Sequence, residues 1–349
     1  MSIPYRVRKA LRNLSIFLLV TALVAGVVLL TWLVWLNRFV IYTPGGAELD
    51  FELPDTFPSG ILAQPPEPDE TVEVNYGDGE EVTEPPESTN WAAFSGTWVT
   101  LKQLTEQFDT VQAELAALPD GSVVMLDLKT FKGEFLYSSS LGPGAKSPTQ
   151  AQVDGLLANL KDRGFRLIAS VPAFPEYEYF MADKVNWSRN VHGLPKKNGN
   201  GSLWKDEKNG CYWLNPTSEG ALTFLVQIVT ELRAMGFSEV VFSAFQLPET
   251  NQTHFVGSWE DAINKAAETL VKACASDKFT VSFIGTEALK LPAGRCRLYL
   301  QNVAAADIHE MASRIPTENP NAQLVFLTDL KDTRFEEYGV LRPLDLEEE

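Results

Sequence analysis

Asp127 closes the apolar run Ser122–Leu128 (SVVMLDL), and Lys129 follows it by two positions. A carboxylate at the end of a strand suits proton transfer, and a neighbouring ammonium suits charge stabilisation or simple pairing with that carboxylate. Acid–base chemistry with two carboxyls needs a second one. Glu134 lies on the hairpin that follows, while Glu249, Glu287 and Asp329 each come after another apolar run. Each of these four also fits the plainer role of a solvated loop acid. Ser243 has neither a GxSxG context nor a histidine near it in sequence, so nucleophilic serine chemistry finds no support. The three cysteines (Cys211, Cys274, Cys296) have no CxxC spacing and the three histidines are isolated, which argues against a zinc or haem site. The thiols fit either one bridge, Cys274–Cys296, or three small buried groups. No GxGxxG and no GxxxxGK[ST] is present, so no nucleotide cofactor is expected.

A second concentration of chemistry lies in residues 174–215, which carry Phe174, Tyr177, Tyr179, Phe180, Trp187, Trp204, Tyr212 and Trp213. A connection of this length is more than a link between elements. Flat aromatic faces with Asn and Lys nearby suit sugar rings, and Trp187, Trp204 and Trp213 are the expected cleft residues. The alternative is that these aromatics pack the loop onto the domain. Asn215, followed by Pro216, reads as a helix N-cap.

From Trp91 onward, short apolar runs alternate with amphipathic stretches. Strands are expected at Thr97–Leu101, Ser122–Leu128, Phe165–Val171, Glu239–Phe245, Lys278–Ile284, Arg297–Leu300, Gln323–Leu327 and Gly339–Leu341. Helices are expected from Gln103 to Leu118, from the capping box Ser147-Pro148-Thr149-Gln150 to Arg163, after Asn215-Pro216, after Ser258, and near Asp307–Ile315. Gly164 and Gly236 end two of them. Such alternation implies a (β/α)8 TIM-like barrel or an open doubly wound sheet. The missing phosphate turn and the length favour the barrel, distorted or incomplete where the connections after Ile284 become short.

The N-terminal part is of another kind. Leu14–Leu36 is 23 residues without a charge, long enough to span a bilayer. Its 15 Leu, Ile, Val and Phe residues favour insertion, by about 5–9 kcal/mol. It is longer than the apolar core of a cleaved signal peptide, and Trp32, Trp35, Arg38, Phe39 and Tyr42 sit like an interfacial belt. Arg6, Arg8, Lys9 and Arg12 precede it, which places residues 1–13 in the cytoplasm and the rest outside. Residues 43–90 hold 13 acidic residues and no Lys or Arg, a Pro-rich composition that suits an extended spacer. The net charge of -17 leaves about -9 on residues 91–349, a poor match for nucleic acid.

Three segments of the domain at 91–345 together resemble a family of bacterial glycoside-hydrolase-like barrel proteins. Val123–Tyr137 (VVMLDLKTFKGEFLY) is similar to the family's strand with a terminal Asp, a following Lys and a hairpin. Tyr212–Phe242 is similar to its Trp-x-Asp-Pro turn, helix and Gly-Phe-Asp-Glu step. Ser243–Glu249 (SAFQLPE) stands where the family shows Asp-Tyr-x-Arg-Phe-Pro. Thus Ser243 stands in place of the strand-four Asp, Gln246 in place of Arg, and Asn215 in place of the turn Asp. Of the family's motif, Asp127 and Lys129 are matched. The resemblance implies a glycan ligand in a barrel cleft, with Asn215, Ser243 and Gln246 now in binding roles. It also implies that cleavage, which needs two flanking carboxyls, has lost one of them. Two other readings stay open: an inactive barrel acting as a protein-interaction scaffold at the cell envelope, and a hydrolase whose second carboxyl has moved to Glu134, Glu249, Glu287 or Asp329.

Overall fold

The computed structural model describes residues 40–43, 46–49, 91–142, 148–182, 191–198 and 202–345. The basic tail, the apolar run at 14–36, most of the 43–90 stretch, Ser147 and Trp187 lie outside the described residues. Among the described residues, no helix is long and apolar enough to cross a membrane. The chain divides into two units, Met1–Val82 and Thr83–Glu349. In the first, Val40–Thr43 pairs antiparallel with Gly46–Leu49. Val40–Thr43 (VIYT) consists of β-branched and aromatic residues, which favour strands.

The second unit is a closed barrel of eight parallel strands. They are β1 (Ser95–Val99), β2 (Val123–Asp127), β3 (Arg166–Pro172), β4 (Glu239–Ser243), β5 (Thr280–Ile284), β6 (Leu298–Gln301), β7 (Leu324–Leu327) and β8 (Gly339–Pro343). Each strand neighbours the next in sequence, and β8 pairs with β1. The barrel is therefore complete in its strands, where a distorted or incomplete one was expected. Its helical coat is what falls short. The helices are α1 (Leu101–Glu106), α2 (Phe108–Ala117), α3 (Pro148–Asp162), α4 (Glu178–Met181), α5 (Glu219–Ala234), α6 (Trp259–Cys274), α7 (Ile308–Arg314) and α8 (Pro320–Gln323). No helix stands between β5 and β6, and only a 3-10 turn at Thr333–Glu337 stands between β7 and β8.

Two expectations are corrected in detail. The helix expected from Gln103 to Leu118 breaks at Gln107, giving α1 and α2. Asn215 does not cap α5: its side chain accepts from the Thr217 amide and hydroxyl in a local turn, and the helix starts after Ser218. An Asn side chain closes a turn two residues ahead as readily as it caps a helix. Ser258 does cap α6, accepting from the Asp261 amide at 3.2 Å. Gly236 stops α5 with φ of 97°.

Strand alternation explains how side chains are sorted. Val124, Leu126, Leu167, Ala169, Val240 and Phe242 face the helices and join the large core. Met125, Ile168, Val241, Tyr299, Val325, Leu327 and Leu341 form a separate cluster inside the barrel. Period-two geometry extends each inward row up and down the strand. The rows read Arg166-Ile168-Ser170, Glu239-Val241-Ser243 and Arg297-Tyr299-Gln301: charged at the start, apolar in the middle, polar at the end.

In the charged layer Glu239 and Arg297 are fully enclosed and Arg166 is half-buried. Glu239 accepts from Arg297 (2.5 Å), Arg166 (3.2 Å), Ser282 (2.7 Å) and Tyr299 (2.8 Å). Trp91 and Phe94, just ahead of β1, cover it. The Arg297 guanidinium lies 4.6 Å from the Trp91 ring and 5.1 Å from Phe94, and Arg166 lies 4.6 Å from Phe94.

Candidate functional site

At the opposite end, where the strands finish, the inward rows terminate in Asp127, Ser170, Ser243, Ile284 and Gln301, and these open into a cleft of about 690 Å³. Register sets the arrangement: Asp127 stands level with Ser170, and Pro172 level with Ser243. The indole of Trp98 donates to one Asp127 oxygen at 3.2 Å, and the Leu101 amide at the start of α1 donates to the other at 3.1 Å. Burial pushes the Asp127 carboxyl above the ordinary aspartate range, against hydrogen bonds from Ser170, Trp98 and Leu101 that pull it down.

Lys129 is not the partner of Asp127. Its ammonium makes an ion pair with Glu176 at 2.6 Å and donates to the carbonyls of Pro172 (3.3 Å) and Pro175 (3.4 Å). One carboxylate and two carbonyls thus surround the ammonium, and both side chains of the ion pair are buried. Glu176 in turn accepts from the Tyr179 amide at 3.1 Å. Lys129, expected among the catalytic groups, lines the cleft, and its contacts also tie the 174–215 segment to the end of β2. Gly133 is part of that tie. It has φ of 92°, and a side chain there would run into the Glu176 carboxylate.

The 174–215 segment carries its own small sheet, in which Cys211–Trp213 pairs antiparallel with Pro175–Glu176 and with Lys205–Asp206. Most of its aromatics serve packing. Phe174 meets Phe245 at 4.9 Å, Tyr179 meets Phe224 at 4.5 Å, and Tyr177 stacks on Tyr212. Trp204 and Trp213 do line the cleft, but both are buried and their indole N–H groups are taken, by Gln252 and Asp206. They build a wall and do not offer an open face. The open faces belong to residues the sequence did not single out: Phe131, 41% exposed, and half-buried Trp98.

Among the described residues three carboxyls line the cleft: Asp127, Asp206 and Glu249. Asp206 was missed. Its oxygens accept from the Lys208 and Asn209 amides, the Asn209 side chain and the Trp213 indole. Burial acts to raise its pKa, but these bonds outweigh it and hold the carboxyl below the aspartate range. Its signal was Asp-x-x-Asn-Gly at 206–210, the pattern of a side-chain-closed turn. Glu249 is exposed at the rim. Glu134 and Asp329 are exposed and do not line the cleft, and Glu287 faces Arg314 at 3.8 Å. Asn215 is also absent from the lining, whereas Ser243 and Gln246 are in it. Between these two, Ala244 has φ of 48°, a left-handed turn that costs about 1 kcal/mol or more for a residue with a Cβ. It sends Phe245 into the core and leaves Gln246 exposed at the cleft.

Among the described residues no group of three or more His, Cys, Asp or Glu is placed to hold a metal. The three cysteines are free and buried, so there is no Cys274–Cys296 bridge. Burial pushes the thiols of Cys211 and Cys274 up to about 11.

The family described as "putative glycosyl hydrolase domain" matches residues 97–278. No curated protein matches the chain. Among solved structures, the chain is similar to a hypothetical protein from Ruminiclostridium thermocellum, at 18% identity over 54% of this chain and 96% of that one, with a TM-score of 0.43. It is similar to a variant of the glycoside hydrolase domain of PelA from Pseudomonas aeruginosa, at 12% identity over 72% and 94%, TM-score 0.43. Aspergillus fumigatus Ega3 in complex with galactosamine is similar at 9% identity over 77% and 97%, TM-score 0.42.

Proposed function

The chain belongs to the putative glycosyl hydrolase domain family, and from that premise we propose that it binds a glycan in the cleft at the strand ends of its barrel. We further propose that it does so outside the cytoplasm, tethered by residues 14–36, with the acidic 43–90 stretch as spacer. The positive charge ahead of the apolar run and its absence from the spacer support that orientation.

The observation that carries the reading is the pairing of open aromatic faces with polar groups in one cleft. Phe131 and Trp98 present rings to the apolar face of a sugar, while Ser243, Gln246 and Gln301 present a hydroxyl and amides to its hydroxyl groups. A filled cleft would have favoured a scaffold, and the open one favours a ligand.

Hydrolysis is the second reading, and one observation favours it. Asp127 and Asp206 line the same cleft and are shifted in opposite directions, Asp127 upward and Asp206 downward. Opposed shifts in two carboxyls suit an acid that protonates the leaving oxygen and a charged partner that supports the opposite face. Ser243 cannot take either part.

The test is a glycan array followed by reducing-end release from each glycan that binds. Binding lost in Phe131→Ala supports the first reading, and an array without a hit sinks it. Release abolished by Asp127→Asn and by Asp206→Asn, with binding kept, supports the second. Binding without release leaves a lectin-like barrel.

A further inference from the structure

A smaller groove of about 230 Å³ lies beside the cleft, and Gln246 lines both. Leu247, Ile263, Ala288 and Leu289 give it an apolar floor. Trp259, the first residue of α6, stands at its edge and is 36% exposed. The indole stacks on Phe255 with ring centroids 3.8 Å apart and planes 17° apart. One ring face is therefore covered, and the ring is held flat. The ridge between the two hollows is rigid as well, because Phe245 is anchored against Phe283 (4.3 Å) and Phe174 (4.9 Å). Among the described residues no hydrogen bond occupies the Gln246 amide on that ridge.

We propose that this groove is a distal subsite that takes one further sugar ring of the same glycan, so that the ligand is a chain of several units and not a mono- or disaccharide. The inference rests on the glycan reading of the cleft and adds length to it. The groove is smaller than a pocket for a drug-sized ligand and suits a single ring. An indole face, negative at its centre, attracts the C–H groups on the apolar face of a pyranose. Gln246, Glu260 and Thr286 at the margin supply partners for its hydroxyls. Continuity through Gln246 makes the occupant part of the ligand already in the cleft.

The probes are cello-, malto- and chito-oligosaccharides, each from disaccharide to octasaccharide, titrated calorimetrically into the full chain in detergent. For the series that binds, affinity is expected to rise with length and then level off. Trp259→Ala should remove that rise, lowering octasaccharide affinity by about tenfold, and leave the disaccharide unchanged. Ala288→Arg, at an exposed position in the groove, should do the same without disturbing the aromatic stack, and it decides the matter if Trp259→Ala fails to fold. Unchanged octasaccharide affinity in both variants overturns the distal subsite while the cleft reading stands. Equal loss at every length also overturns it. Failure of every series to bind the unaltered chain, with no hit on the glycan array, removes the cleft reading and this one together.

Discussion

At the strand starts, the Glu239 carboxylate meets Arg297, Arg166, Ser282 and Tyr299. At the strand ends, the Glu249 carboxylate meets no protein partner among the described residues, although it lines the cleft. The same eight strands thus carry one layer in which a buried carboxylate is held by two guanidiniums and two hydroxyls and one in which groups are left open. A buried charge that is fully paired holds the fold in one arrangement, and its removal is expensive. An unpaired group at the mouth does little for stability and is ready for a ligand. The ends also differ in what covers them: Trp91 and Phe94 close the starts, while the 174–215 segment rims the other end without filling it.

Several substitutions would break or sharpen this contrast. Glu239→Ala should be the most damaging, because it leaves Arg297 buried without its carboxylate. We expect a loss of about 3–5 kcal/mol in urea unfolding, and a loss below 1 kcal/mol would show that the lower layer is not structural. Next is Lys129→Met, which strands Glu176 and frees the 174–215 segment, at a cost of about 3 kcal/mol. Adding Glu176→Leu should restore most of that stability, since both charges are then gone. No recovery in the double variant would mean that the carbonyl bonds from Lys129, and not the ion pair, do the holding.

The acid dependence of stability should have opposite signs for the two buried carboxyls Glu239 and Asp127. In Glu239, burial raises the carboxyl pKa but the two guanidiniums and two hydroxyls outweigh it, so the folded value is depressed. Its contribution is fully present above the unfolded glutamate value of about 4.3 and disappears as pH falls through the folded value. In Asp127 the folded value is raised, chiefly by burial. Its contribution is present below the unfolded aspartate value of about 3.9 and disappears as pH rises through the folded value. Urea midpoints of wild type against Glu239→Gln and against Asp127→Asn, followed with pH, should therefore diverge in opposite directions. Slopes of one sign would refute the contrast.

Phe131→Ala should be the mildest of all for the fold. An exposed ring at the rim contributes within about 0.5 kcal/mol, yet its loss should remove most glycan affinity on the array. A destabilised but fully binding Phe131→Ala protein would reverse the roles assigned to the two ends.

Much of the fold was legible because it is local. Runs such as VVMLD and EVVFS announce strands, Ser258 announces a helix start, and period-two alternation puts Asp127 and Ser243 on the inward face of their strands. The candidate site was legible only in part. Asp127, Glu249 and Gln246 stand after strands, where a barrel builds its cleft, and all three line it. Glu134, Glu287 and Asp329 follow the same rule and do not line it, because nothing local to a loop fixes the direction in which its acid leaves the mouth.

What the sequence by itself determined, then, is the order of strands and helices, the inward rows, and the composition of the first 90 residues, all of which depend on neighbours a few positions apart. Tertiary structure alone decided that Lys129 turns from Asp127 to Glu176, that Asp206 reaches the cleft, and that Phe131 and Trp98, not Trp204 and Trp213, keep an open face. Those outcomes depend on which groups far apart in the chain arrive at one point. A buried ammonium takes whatever acceptors surround it, and only closure of the barrel brings them there.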